Sequence, residues 1–210
     1  MGNSLGDKLS KLYAGQGIYV RFYVWARAKF LNLDYCSQFL PHNGLLIDVG
    51  CGYGVMANYL SLRFPHSQVI GIDLKHKRID VALKTVGKRK NITFLLKNVM
   101  DWAFPSCAGV AMTDFLHHIS RREQELILHK VFHSLGKGEI LLILEVDPTT
   151  KPFYRYWASY LADRVLYPLS GICYRRPSDW ERRLSNLGFS VKTIKIRNPI
   201  FAPILYVCHK

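Results

Sequence analysis

The sequence predicts an α/β fold, a doubly wound and mostly parallel sheet with helices on both faces. Three observations carry this. From residue 44 onward, short apolar runs alternate with helical stretches. The first run, 45–49, passes directly into a turn containing Gly50, Gly52 and Gly54. The second run ends on Asp73, nineteen residues past Gly54.

Taken in order, residues 8–31 read as helical and crowded with aromatics, including Tyr13, Tyr19, Phe22, Tyr23, Trp25 and Phe30. Lys8, Lys11, Arg21, Arg27 and Lys29 are interleaved with them, and Gly15 and Gly17 split the stretch into two helices. That mixture suits a helix lying at a membrane surface, and equally one whose apolar stripe packs on the domain. The run 45–49 reads as a buried strand and 53–64 as a helix. Strand 69–73 and helix 75–86 follow, then strands 92–96 and 109–113. Residues 121–135 form a helix ended by Gly136, and 139–146 a long apolar strand. After Asp147 the rhythm breaks. Residues 148–177 hold Pro148, Pro152, Pro168 and Pro177 among aromatics, and read as an insertion with one helix over 153–166. A helix over 178–187 has Ser178 as its expected N-cap and Gly188 as its stop. Strands 191–196 and 204–208 close the fold, joined through Pro199 and Pro203. The expected organisation is an N-terminal helical segment, 1–40, and a main domain, 41–210, with its insertion at 148–177.

A chain of 210 residues suffices for one domain with a substantial core. No apolar stretch reaches the roughly 18 residues of a membrane-spanning helix. The polar N-terminus, 1–11, lacks the apolar centre of a secretory signal. Cys36, Cys51, Cys107, Cys173 and Cys208 are dispersed without a CxxC pair, which argues against a disulfide framework or a zinc site. The expectation is a cytoplasmic protein, at most peripheral on the inner face of a membrane, with no metal. Of the net charge of +14, residues 1–40 and 41–147 each carry +3, and 148–210 carry +8. A surface with that excess attracts phosphates of nucleic acid or anionic lipid, or simply keeps the protein soluble.

The chemistry concentrates in Leu45-Leu-Ile-Asp-Val-Gly-Cys-Gly-Tyr-Gly54. Glycines between a buried strand and a helix let the backbone turn tightly and approach a ligand closely. Such a ligand sits at the carboxyl ends of the strands, where strand order reverses, and Asp73 is placed to accept both hydroxyls of a ribose. Gly52, Gly54 and Ala57 also satisfy the GxGxxA pattern of dinucleotide sites. Asp48 argues against that ligand, because a carboxylate just before the loop repels a pyrophosphate and suits an ammonium.

The segment "IDVGCGYG" resembles the first motif of class I S-adenosylmethionine-dependent methyltransferases, and "VIGIDL" resembles the second. The resemblance runs from Leu45 to Val146. It implies a Rossmann-like seven-stranded sheet, mostly parallel with an antiparallel C-terminal strand. It also implies S-adenosylmethionine as cofactor and S-adenosylhomocysteine as product. By it, Asp48, Gly50, Cys51, Gly52 and Gly54 hold the methionine end, and Asp73 with Leu74 the ribose. "LLKNVMDW" stands where the family reads the adenine. There Asn98 replaces the usual aspartate, and Val99, Met100 and Asp101 complete the donor set, with Thr113 at the end of the fourth strand. Trp102 belongs either to the adenine pocket or to the core.

Methyl transfer from a sulfonium needs alignment and exclusion of water more than acid–base help. The stretch Met112-Thr-Asp-Phe-Leu-His-His-Ile119 resembles the D-x-L-H-H segment of methyltransferases acting on small molecules or lipids. It makes Asp114, His117 and His118 the catalytic candidates, with a histidine of near-neutral pKa as a general base. Either histidine serves equally well to cap or pack the following helix. Glu145 and Asp147, at the end of the fifth strand, suit a cationic group or merely close the strand. The insertion is the natural lid, with Tyr154, Tyr156, Trp157, Tyr160, Tyr174 and Arg175 as substrate contacts. Aromatic and basic residues together suit an apolar substrate bearing an anionic group. The first functional expectation is methyl transfer to a hydrophobic small molecule or lipid at a membrane surface. The alternatives are an RNA methyltransferase, motivated by the basic C-terminal segment, a non-catalytic adenosylmethionine binder, and an NAD-dependent oxidoreductase.

Overall fold

The computed structural model describes residues 4–167 and 171–210; Pro168, expected within the insertion, lies outside them. One sheet contains β1 (Gly44–Val49), β2 (Ser67–Asp73), β3 (Ile92–Leu96), β4 (Cys107–Thr113), β5 (Leu135–Val146), β6 (Ser190–Lys195) and β7 (Pro203–His209). The spatial order is β3-β2-β1-β4-β5-β7-β6. All pairings from β3 through β5 are parallel, and β7 runs antiparallel to both β5 and β6. The central strands are buried on both faces, which is why their sequences are mostly apolar, Asp48 of β1 being the charged exception.

The N-terminal segment folds as α1 (Leu5–Leu12), α2 (Ile18–Phe30) and a short α3 (Leu33–Ser37), the last not read from the sequence. These three pack with α4 (Val55–Arg63) and α5 (His76–Lys84) on one face of the sheet. The other face is covered by α6 (Arg121–Ser134) and α8 (Pro177–Leu187). Helix α7 (Tyr154–Leu166) belongs to the insertion.

Three boundaries differ from expectation for local reasons. Helix α4 starts at Val55 rather than residue 53, because Gly52 and Gly54 still turn with positive φ (+55° and +80°). Gly136 does not end α6. The chain passes from Ser134 straight into β5, and the Gly136 N–H is held by the Glu139 carboxylate. Ser178 is not the N-cap of α8. Arg176 takes that position and Pro177 is the first helical residue, where its missing N–H costs nothing. Gly188 closes the helix at φ +105°, as expected.

From β1 the chain builds outward through β2 and β3, then returns to the other side of β1 with β4. That reversal opens a crevice at the carboxyl ends of β1 and β4. It brings the glycine turn at 50–54 opposite the segment at 114–118.

Candidate active site

The glycine turn is held from below and from the side. The Cys51 N–H donates to the Ile72 carbonyl at 2.9 Å, and the Gly52 N–H to Asp73 Oδ2 at 2.8 Å. Asp73 Oδ1 accepts from Lys75 N at 2.7 Å, so one carboxylate clamps the turn and starts α5. The glycines have different duties. A Cβ on Gly50 would strike the Phe115 ring at 2.2 Å, and one on Gly54 would strike Phe94 at 2.6 Å. A Cβ on Gly52 would meet only Arg78 Nη1 at 3.9 Å and the Tyr23 hydroxyl at 4.0 Å. Gly52 therefore faces the crevice, while Gly50 and Gly54 permit packing.

These residues fit an adenosylmethionine. The open space over Gly52 is a cradle that a Cβ would intrude upon. Asp48 is fully buried, and its Oδ2 accepts from Ala57 N at 3.0 Å. Its Oδ1 has no hydrogen-bond partner among the described residues, as suits an acceptor reserved for a cation. Burial raises the carboxyl to about 7. Asp73 keeps lone pairs beyond its two backbone donors. Leu74 stands exposed beside it, and Cys51 and Val99 are buried. Asn98 shapes the next turn: its Oδ1 accepts from Met100 N and its Nδ2 donates to Asp101, both at 3.0 Å. Met100 and Trp102 pack against the core, Trp102 with Phe104 at 4.9 Å.

Across the crevice, Asp114 (φ +47°) is paired with Arg27 of α2, which also donates to the Thr113 carbonyl. Burial pushes the Asp114 carboxyl up against the pull of that guanidinium. His117 is fully buried between two carboxylates. Its Nδ1 lies 2.6 Å from Glu145 Oε2, and its Nε2 lies 3.2 Å from Asp163 Oδ2. Glu145 Oε1 accepts from Leu116 N at 2.9 Å, and the Tyr174 hydroxyl donates to Asp163. Burial opposes a charged ring, yet Glu145 and Asp163 hold His117 well above its ordinary value. His118 goes the other way. Burial and the neighbouring His117 push it down to about 3. The expected near-neutral histidine is thus absent from this pair: His117 is an imidazolium and His118 a neutral ring. His117, His118 and Asp163 bring three ligand-type atoms within 4.8 Å, a grouping that can hold a divalent cation. In the protonated state a proton on His117 takes that place.

The His118 ring lies 4.1 Å from the Tyr167 ring, over which the Arg78 guanidinium also lies, at 4.3 Å. The Tyr167 and Tyr23 hydroxyls are 3.1 Å apart. The insertion thereby reaches the space in front of Gly52. A strap at 173–175 is fastened over His117. Cys173 N donates to the His117 carbonyl at 2.7 Å, and Arg175 binds Gln124 and Glu125 of α6.

The expected substrate residues separate into two groups. Tyr156, Tyr160, Tyr174 and Arg175 line a cavity of about 360 Å³ together with Arg121, Arg176 and Asp179, the last paired with Arg182. Its Tyr174 wall lies 5.0 Å from His117. Tyr154 and Trp157 point away from it and are about 60 % exposed. Asp147 lies elsewhere, in a cavity of about 510 Å³ with Lys195 and Arg197. The sequence reading missed Asp163, Arg27, Arg78 and Gln124 as members of the site. One signal was present: Asp163 is the sole acid between residues 148 and 177.

With this geometry in place, residues 46–138 match the family model described as a methyltransferase domain. Carboxy-S-adenosyl-L-methionine synthase of Helicobacter hepaticus is 29% identical over 121 residues, 55% of this chain and 51% of that protein. Trans-aconitate 2-methyltransferase of Variovorax paradoxus is 27% identical over 148 residues, 63% and 55% of the two chains. The chain spans about half the length of these curated relatives. The crystal structure of magnesium protoporphyrin IX methyltransferase from Synechocystis, with bound S-adenosylhomocysteine, superposes with a TM-score of 0.70. It is 18% identical, and the match covers 99% of this chain and 95% of that one, a likeness of fold.

Proposed function

We propose that this chain is a class I S-adenosylmethionine-dependent methyltransferase, a reading that the methyltransferase-domain match over residues 46–138 supports, and that it methylates an acidic oxygen on an apolar, aromatic or lipid-like acceptor. The observation that carries the reading is the tyrosine- and arginine-walled cavity whose Tyr174 ring lies 5.0 Å from the buried His117. S-adenosylmethionine supplies a sulfonium-activated methyl group when bound. The chain's contribution is position and charge. Asp48, Gly50 and Gly52 would hold the methionine end, Asp73 the ribose, and the turn at Asn98–Asp101 the adenine.

A ring whose conjugate acid titrates near 3 takes no proton from an alcohol at neutral pH. An acceptor already ionised, a carboxylate or an acidic phenolate, needs no such step. Neutral His118 can still orient an oxygen through one N–H. The His117 charge is balanced by Glu145 and Asp163, so an anionic group on the acceptor is left to Arg121 and Arg176 of the cavity wall, and its apolar frame to the tyrosines.

The C-terminal basic excess gives an RNA substrate little support. Arg175 and Arg183 are spent on Glu125, Arg182 on Asp179, and Lys210 on backbone carbonyls. The test is release of S-adenosylhomocysteine with a panel of aromatic and long-chain carboxylic acids and phenols, each beside its matched alcohol and amine. Turnover is expected with the acids. Methylation of the alcohols but not the acids would overturn the assignment.

A further inference from the structure

We infer that α2 and α7 form a docking face for an anionic lipid bilayer, with the candidate active site lying between them. This deepens the apolar-acceptor reading, and rests on it for the purpose of that placement. Among the described residues, ten of the fourteen exposed large apolar side chains fall on α2, on α7 with the adjoining Phe153, or at Ile200. On α2, Ile18, Phe22 and Trp25 recur at spacings of four and three. On α7, Trp157, Leu161 and Val165 recur at four and four. Each set is one helical stripe. Tyr23 and Val24 of α2, and Ser159 and Asp163 of α7, are buried on the inner sides. Both helices are therefore anchored, and both turn an apolar stripe outward.

They are neighbours at both ends. The Tyr23 and Tyr167 hydroxyls meet at one end. At the other, Phe30 packs on Phe201 at 5.0 Å, and Arg155 Nε donates to the Phe201 carbonyl at 2.9 Å. Between these ties lie the Arg27–Asp114 and His117–Asp163 pairs.

Charge identifies the occupant. The exposed charged side chains of α2, α7 and the segment 195–201 are Arg21, Lys29, Arg164, Lys195 and Arg197, all basic, with Lys195 3.4 Å from Asp147. The one acid in these segments, Asp163, is buried against His117. Apolar stripes edged by basic side chains match acyl chains beneath anionic headgroups. A second copy of the chain would set these like charges together. RNA would leave aliphatic Ile18, Leu161 and Val165 uncovered.

The test uses the full chain with phosphatidylcholine vesicles, with and without phosphatidylglycerol. The protein should sediment with the anionic vesicles and be released by salt. Tryptophan emission should shift to the blue as Trp25 and Trp157 leave water. The paired variants Ile18→Ser/Phe22→Ser and Leu161→Ser/Val165→Ser change only exposed side chains. Each pair should lower partitioning roughly ten-fold or more, with thermal stabilisation by S-adenosylhomocysteine unchanged. Arg21→Glu and Arg164→Glu should each cost at least about five-fold on anionic vesicles alone. Wild type that ignores anionic vesicles at low salt overturns the inference. So do variants that bind like wild type, a dimer split by the same substitutions without vesicle binding, or RNA binding that they abolish. Vesicle binding without any stabilisation by S-adenosylhomocysteine would support the docking face and overturn the donor-site reading.

Discussion

Replacing Asp48 by Asn should stabilise the ligand-free chain at pH 8 and weaken its hold on the donor. The carboxyl is buried beneath the glycine turn with one oxygen bonded to Ala57 N and the other without a partner among the described residues. Burial raises it from the ordinary aspartate value near 3.9 to about 7. Three units at about 1.4 kcal/mol each set an upper limit of about 4 kcal/mol. The folded pKa lies above the unfolded one. Its stabilising contribution is therefore complete below about pH 4, and is lost as pH rises through 7. Asparagine keeps an acceptor for Ala57 and carries no charge, so this slope disappears. Urea unfolding of both proteins at pH 5 and pH 8 should show the gap widening in favour of the variant. About one of the three units is already lost at pH 5, so the change between the two pH values is about 2.7 kcal/mol at most, on the order of 5–10 °C in Tm. An ammonium beside Oδ1 favours the carboxylate. Wild-type affinity for S-adenosylhomocysteine should then rise up to ten-fold per unit as pH approaches 7 and level off above it. The variant should bind more weakly, without that rise. A stability gap that is constant from pH 5 to pH 8 would refute burial as the source of the raised pKa. Parallel affinity profiles would refute the place of Asp48 at the methionine end.

Gly52→Ala and Gly54→Ala should separate binding from folding. The first adds a Cβ over open space and costs only the positive φ, about 1–2 kcal/mol, yet it should weaken donor binding by calorimetry. The second drives a Cβ to 2.6 Å from Phe94 and should lower Tm before any ligand is added. His118 titrates near 3 in the fold and near 6.5 unfolded, so its contribution holds above pH 6.5 and is lost as pH falls toward 3. His118→Gln should flatten that limb of the acid-unfolding curve, and an unchanged limb would contradict the buried neutral ring. Glu145→Gln keeps an acceptor for Leu116 N but removes a charge beside His117. The imidazole resonances should titrate at least about a unit lower, with about 3–5 kcal/mol lost from stability. A His117 titration that does not move would show that Asp163 alone sets it.

What could be read from the chain was local. The central strands were legible because a doubly covered parallel strand is a mostly apolar run, as in Leu45, Leu46, Ile47 and Val49 around the single Asp48. The donor loop was legible because strand, glycines, helix and Asp73 are contiguous along the chain. His117 and His118 were found because they directly follow a strand's carboxyl end. Their partners come from elsewhere: Arg27 from α2, Arg78 from α5, and Asp163 from α7. No local pattern announces such partners.

The sequence by itself determined the fold class and the glycine turn after β1, since both follow from short-range periodicity and from backbone angles that glycine adopts freely. Only the tertiary structure decided the state of the histidines. A pKa depends on burial and on charges within a few ångströms, and those arrive from distant segments. It also decided which side of α7 faces in. Tyr156 with Tyr160, and Trp157 with Leu161, show the same spacing in the sequence. Packing against the crevice turned the first pair toward the cavity and left the second on the surface.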